Sequence, residues 1–304
     1  MQKIKLGTTE KKVPSVILGC MRLNGAKDPR EVIETAVDNG ITHFDHADIY
    51  GDGQCERIFA ENLAKTSINR DKLFLQSKCG IVPGVMYDFS KEHIISSVEN
   101  SLKRLNTDYL DALLLHRPDT LMEPEEVAAA FDQLEQQGKV RYFGVSNQKP
   151  GQIELLKKYV KQPLIFNQLQ FGIMHSGMID QGLHVNMTDS RANDFDGEIL
   201  EYSRINEMTI QAWSPYQYGL FEGVFVGNDK FPELNKVLNE MAEKYGSTAT
   251  GISAAWILSH PANFQVIAGT MNRTRIQEIA EASEITLSRQ DWYRVYLAAG
   301  NDLP

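Results

Sequence analysis

Along the chain, short apolar runs alternate with longer stretches whose apolar residues recur every three or four positions. The runs at 15–19, 42–45, 73–78, 109–115, 140–145, 164–169, 208–213 and 264–268 read as strands. Each is nearly unbroken in apolar character, as expected of a strand covered on both faces. The stretches at 29–39, 54–65, 90–104, 124–137, 151–161, 194–205, 248–259 and 273–282 read as helices, with an additional helix near 232–245. In the first helix Val32, Ile33, Ala36 and Val37 fall at helical spacing. Asp28 stands at its N-cap, Pro29 at its first position, and Gly40 closes it. Residues 2–14 read as a small polar hairpin, and 288–299 as a last helix carrying Trp292, Val295 and Tyr296.

Strands separated by helices cannot pair as hairpins and must run parallel. Eight strand–helix units without a composition break predict an α/β fold of the (β/α)8 TIM-barrel type. The hairpin precedes it, extra helices follow it, and the whole chain, 1–304, is expected to form one domain. A doubly wound open sheet would usually show G-x-G-x-x-G at its first strand–helix turn. Here that turn reads Gly19-Cys20-Met21-Arg22-Leu23-Asn24-Gly25. The loops at 170–193 and 214–231 are longer than ordinary connectors and are read as functional.

A hydrophobic content of 42% and a charged content of 23% are ordinary for a soluble globular protein. The net charge of −9, with no basic cluster, argues against nucleic acid and anionic membranes as partners, because both recruit Lys and Arg. No apolar run is long enough for a membrane span, and the first ten residues hold no apolar signal-peptide core, so neither is expected. The three cysteines, Cys20, Cys55 and Cys79, form no C-x-x-C pair. An odd count argues against a disulfide framework and fits a reducing, cytoplasmic setting.

Three successive strands end in a polar residue: Asp45, Lys78 and His116, with Tyr50 in the turn after the first of them. In a β/α barrel all these strand ends open on one face, where active sites lie. Each residue has a plainer role available, as a cap, a packing ring, a solvated lysine or a backbone partner. Four together are harder to assign to accident. A free tyrosine has a pKa of about 10, too high for easy proton transfer near neutrality. A nearby ammonium lowers it, and a carboxylate keeps that ammonium charged. Tyr50, Lys78 and Asp45 supply that set, and His116 supplies a hydrogen bond to a polarised oxygen. The combination suits reduction of a carbonyl, with hydride arriving at carbon and Tyr50 protonating oxygen. His43, Asp45 and His46 also suggest a metal, but strand alternation separates His46 from the other two, and no H-x-H is present.

These residues carry a resemblance. Phe44-Asp45-His46-Ala47-Asp48-Ile49-Tyr50-Gly51, Gln76-Ser77-Lys78, Tyr109 to His116, and Gly138 to Asn147 are similar, in that order, to the motifs of the aldo-keto reductases. The resemblance covers nearly the whole chain and is nearest to bacterial cytoplasmic oxidoreductases of the bare-barrel type. It implies NADP(H) bound without a Rossmann domain, a small-molecule carbonyl substrate, and Tyr50 as the acid. It implies that Ser146, Asn147 and Gln168 hold the nicotinamide carboxamide and that Trp213 stacks on its ring. Ser214, Pro215, Gly219 and Leu220 would follow the pyrophosphate, with Met21 and Arg22 also in the cofactor groove. Gly269, Thr270, Arg275 and Glu278 would meet the adenosine 2′-phosphate and adenine. Many members have lysine where Gly269 stands, which leaves the preference for NADPH over NADH open, with Arg273 as a substitute charge. Ile279 replaces the family's usual Asn.

A second reading is a cofactor-sensing regulatory subunit with little turnover, as in the potassium-channel β-subunits of related fold. The absence of an evident docking tail weighs against it. The substrate, the stereochemistry and the oligomeric state are not legible from these residues.

Overall fold

The structure is a computed structural model describing residues 1–220 and 222–304; Phe221, in the second long loop, lies outside the described residues. Strands β1 (Lys3–Lys5) and β2 (Lys12–Pro14) pair antiparallel as the N-terminal hairpin. Leu6 and Val13 of this hairpin are buried against Phe74, Leu114, Ile165 and Phe166, so it stoppers one end of the barrel that follows.

The barrel begins with β3 (Val16–Gly19), a 3-10 turn over Cys20–Gly25, and α1 (Pro29–Asp38). The Asp28 side chain accepts a hydrogen bond from the Glu31 amide, as an N-cap residue should. Next come β4 (His43–Asp45), α2 (Gln54–Leu63) and β5 (Phe74–Cys79). A small hairpin, β6 (Ile81–Val82) with β7 (Met86–Tyr87), precedes α3 (Lys91–Leu105). Then follow β8 (Leu110–Leu115), α4 (Pro124–Gln136), β9 (Val140–Ser146), α5 (Pro150–Lys157) and β10 (Leu164–Gln170). The chain continues through α6 (Gly177–Leu183), α7 (Ile199–Ile205), β11 (Thr209–Trp213), α8 (Pro232–Tyr245) and α9 (Ala249–Leu258). It finishes with β12 (Phe264–Ala268), α10 (Arg273–Ala282) and α11 (Arg289–Ala298).

Strands β3, β4, β5, β8, β9, β10, β11 and β12 pair in sequence order, all parallel, and β12 closes on β3. This is the (β/α)8 barrel that the eight repeats predict. The main apolar core lies between the strands and the helices. Trp256 and Trp292 anchor α9 and α11, with rings stacked at 4.5 Å and each indole N–H donating to the other's carbonyl at 3.0 and 2.9 Å.

Three local expectations fail for identifiable reasons. The 170–193 loop is not structureless, because it contains α6. The helix expected from residue 194 begins at Ile199 instead. Asp194 Oδ1 accepts from the amides of Asp196 and Gly197, and Gly197 and Glu198 take φ of 76° and 58°. An aspartate turned back on its own backbone competes with helix, and left-handed residues end it. Finally, the strands are not apolar throughout: Gln76, Gln211 and Gln265 are fully buried in three of them.

Candidate active site

The site opens where β4, β5 and β8 end. The chain leaving β4 stays paired to β5, with the His46 amide donating to the Gln76 carbonyl (2.9 Å) and the Asp48 amide to the Lys78 carbonyl (3.1 Å). Gly51, Asp52 and Gly53 then all adopt positive φ (57°, 55°, 76°). Two glycines in a row of three left-handed residues make this turn affordable, and it hooks Tyr50 over the barrel mouth.

At the floor of the mouth, Lys78 Nζ lies 2.7 Å from Asp45 Oδ1, 3.1 Å from the Tyr50 hydroxyl and 2.8 Å from the His46 carbonyl. His116 stands edge-on to Tyr50, with ring centroids 6.0 Å apart. The structure therefore brings Asp45, Tyr50, Lys78 and His116 together. Alternation along β4 turns His43 and Asp45 into the barrel and sends His46 outward against Phe59 of α2, at 4.7 Å.

The charges are set by burial and by near neighbours. Burial alone would raise the Asp45 carboxyl; the Lys78 charge, then hydrogen bonds from Lys78, Gln76 and Gln168, outweigh it and hold the group below its usual range. Burial alone would lower Lys78, but Asp45 and Tyr50 keep its pKa above the ordinary lysine value. Lys78 pulls the Tyr50 pKa down, as the sequence suggests, but burial outweighs it and the net shift is upward. The phenol is therefore held protonated. Burial, then the Lys78 charge, lowers His116 to about 3, so its imidazole is neutral.

Behind this set lies a row of amides whose linkage the sequence reading does not contain. Asp45 Oδ1 accepts from Gln76 Nε2 (2.5 Å) and Gln168 Nε2 (3.0 Å) in addition to Lys78. Gln76 and Gln211 exchange two hydrogen bonds of 2.9 Å each, and Gln211 donates to Gln265 (3.1 Å). Gln265 donates to the Pro14 carbonyl (2.7 Å) and to His43 Nδ1 (3.2 Å), and His43 Nε2 faces Gln76 Oε1 at 2.8 Å. Asp45 at one end and a carbonyl at the other accept only, so every amide between them has one orientation. A polar residue in the middle of an otherwise apolar parallel strand was the available signal.

Above the floor a cavity of about 910 Å³ runs across the barrel mouth toward α10. Asp45, Tyr50, His116, Ser146, Asn147, Gln168 and Trp213 line it, as do Met21, Arg22, Ser214, Pro215, Leu220, Gly269, Thr270 and Arg275. Gly219 and Glu278 do not line it. Lys78 sits beneath its wall. Asn147 Nδ2 donates to Ser146 Oγ (2.7 Å), Ser146 Oγ to the Gln168 carbonyl (3.1 Å), and Trp213 Nε1 to Asn147 Oδ1 (3.1 Å). Asn147 and Ser214, at the ends of β9 and β11, hold φ of 57° and 49°. Strained non-glycine backbone of this kind gathers at functional sites. The Arg273 guanidinium bonds Glu31 (2.8 Å) and Thr35 (3.2 Å) of α1 in an exposed pair. Tyr216, absent from the sequence reading, also lines the cavity, but its hydroxyl is buried, with no hydrogen-bond partner among the described residues.

A long groove with an indole at one end and an arginine in the first turn of a helix at the other fits a dinucleotide.

Residues 15–297 match the family described as the aldo/keto reductase family, and the chain belongs to it. It is 38% identical to an uncharacterized oxidoreductase, YcsN, of Bacillus subtilis (strain 168), over 100% of both chains. It is 34% identical, again over 100% of both, to a 6-dehydroglucose reductase of Agrobacterium fabrum (strain C58 / ATCC 33970). Its fold is similar to that of a thermostable aldo-keto reductase, Tm1743, solved with the inhibitor epalrestat. The TM-score is 0.77 at 28% identity, covering 98% of this chain and 100% of the other. None of the helices among the described residues is long and apolar enough to cross a membrane.

Proposed function

We propose that this chain is an NADP(H)-dependent reductase that converts small aldehydes or ketones to alcohols, acting in the cytoplasm. The observation that carries the reading is the placement of one ammonium, Lys78, against both Asp45 (2.7 Å) and the Tyr50 hydroxyl (3.1 Å) at the floor of the cavity. When bound, the nicotinamide supplies the hydride. Tyr50 is the acid: its phenol is protonated in the resting site and gives its proton to the carbonyl oxygen as that oxygen gains charge. Lys78 then stabilises the phenolate at the moment it forms, and Asp45 keeps Lys78 charged. His116, neutral, donates a hydrogen bond that orients the carbonyl.

On the cofactor side, Ser146, Asn147 and Gln168 offer amide and hydroxyl groups for a carboxamide, and Trp213 a flat face for the ring. Arg275 and Thr270, beside the start of α10, offer charge and hydroxyl for a phosphate.

The test is turnover. Purified protein, NADPH and a panel of aldehydes that includes 6-dehydroglucose should give aldehyde-dependent loss of nicotinamide absorbance. Tight NADPH binding without turnover of any of them would contradict the reading and leave a cofactor sensor instead.

A further inference from the structure

Besides the four residues at the floor, one charged side chain at the mouth has no task. Arg117 follows His116 directly and lines the main cavity. It also lines a second cavity of about 370 Å³ that opens beside the first. The two cavities share Arg117, Asn147, Trp213 and Leu220, so Arg117 stands at their junction.

The guanidinium lies over the Trp213 ring, 5.7 Å from its centroid. It makes no hydrogen bond or ion pair with any described residue. Neither described acid lining the two cavities bonds it. Asp45 is the one acid lining the main cavity, and it is bound to Lys78. Asp196 is the one acid lining the smaller cavity. Its Oδ1 accepts from Gln181 Nε2 (2.8 Å) and from the Ile199 amide (3.1 Å). The main cavity thus carries three guanidiniums, of Arg22, Arg117 and Arg275, against one neutralised acid, in a chain whose net charge is −9. Arg22 and Arg275 belong to the cofactor side of the reading above; Arg117 does not.

A guanidinium presents five donors in a planar fork and is matched by carboxylates and by closely spaced oxygens. We propose that Arg117 selects the substrate, favouring carbonyl compounds that carry acceptor oxygens on the chain beyond the reacting carbon over bare alkyl or aryl aldehydes. A carboxylate is the strongest such group, because the bond is then charge-assisted. Hydroxyls are the second source of the same chemistry. This rests on the carbonyl-reduction reading and narrows its substrate class.

The experiment compares kcat/KM within two pairs matched in skeleton: butanal with succinic semialdehyde, and propanal with glyceraldehyde. The oxygenated member of at least one pair should lead by roughly tenfold or more. Arg117→Met should shrink that lead several-fold, as read from the ratio within each pair. Arg117→Lys should restore the lead of succinic semialdehyde, which needs only a charge, more than that of glyceraldehyde, which needs the fork. A lead confined to one pair supports the proposal and identifies the acceptor as carboxylate or hydroxyl. If Arg117→Met does not fold, Arg117→Gln and the salt dependence of the wild-type ratio replace it. A carboxylate lead that is insensitive to salt, no lead in either pair, or a lead that survives removal of Arg117, overturns the proposal while leaving carbonyl reduction intact. Turnover by wild-type protein of none of the four, nor of any aldehyde in the wider panel, overturns both.

Discussion

Lys78 and Asp45 form an ion pair at 2.7 Å, with side-chain exposures of 0% and 3%. Such a pair is poor evidence of stabilisation, since desolvating two charges can cost as much as their attraction returns. Asp45 is kept ionised by three donors converging on one oxygen, and the last atom of Lys78 touches the Tyr50 hydroxyl. The pair therefore delivers a permanent positive charge to one phenol. Removing either partner strands the other in the barrel and mixes loss of folding with loss of function.

Cofactor choice is testable at two residues that line the same end of the cavity. Arg275→Ala should raise the Kd for NADPH on the order of tenfold or more, and that for NADH far less. Gly269→Lys should act the other way. A Cβ built at Gly269 meets nothing within 4 Å, so a side chain can start there and bring a charge to the end of the cavity that Arg275 lines. The ratio of the two affinities, read by quenching of protein fluorescence, should rise several-fold in favour of NADPH. An equal loss for both cofactors in Arg275→Ala would mean that the phosphate is held elsewhere.

The amide row makes Gln211 a hub, bonded to Gln76, Gln168 and Gln265. Gln211→Leu leaves several buried amide groups without partners. The expected cost is about 2–4 kcal/mol of unfolding free energy, together with a fall in kcat as Asp45 loses the order of its donors. Denaturant unfolding gives the first and steady-state kinetics the second. Wild-type values for both would show the row to be passive.

Asp48, two residues before Tyr50, has its carboxyl raised to about 6, first by burial and then by the Glu56 charge, against relief from Ser97 and Arg104. A raised acid pKa adds stability that is complete below the unfolded value and lost as pH rises through the folded one. Wild-type protein therefore gives up this contribution between about pH 4 and pH 6. Asp48→Asn does not titrate. Its unfolding free energy relative to wild type should climb across that window by roughly 1–2 kcal/mol, allowing for partial exposure. A difference that is flat with pH would refute the shift.

Much of the site was legible because a barrel converts sequence position into place. Asp45 ends β4, Lys78 stands one residue inside the end of β5 and His116 one residue past β8, and all eight strands run parallel, so these ends open on one face. The glutamines were not legible. Gln76, Gln211 and Gln265 lie up to 189 residues apart, and nothing local says that three amides in three apolar runs will meet inside. Tyr216 was hidden in the same way, since nothing local says that a phenol in a loop will line the cavity. The start of α7 was missed because the Asp194 turn is decided by two side-chain hydrogen bonds rather than by periodicity. The bond from Arg273 to Glu31 of α1 was equally hidden, a contact across 242 residues.

The central claim is that Tyr50 delivers the proton, and Tyr50→Phe tests it most directly, because it removes one hydroxyl and leaves the Lys78–Asp45 pair in place. The measurement is the single-turnover loss of nicotinamide absorbance by the NADPH complex on mixing with an aldehyde that the wild-type protein reduces. The rate should fall on the order of 10²–10⁴-fold, with NADPH affinity and melting temperature close to wild type. A rate within a few-fold of wild type would contradict the assignment of the acid and, with it, the role of Lys78 and Asp45 behind it.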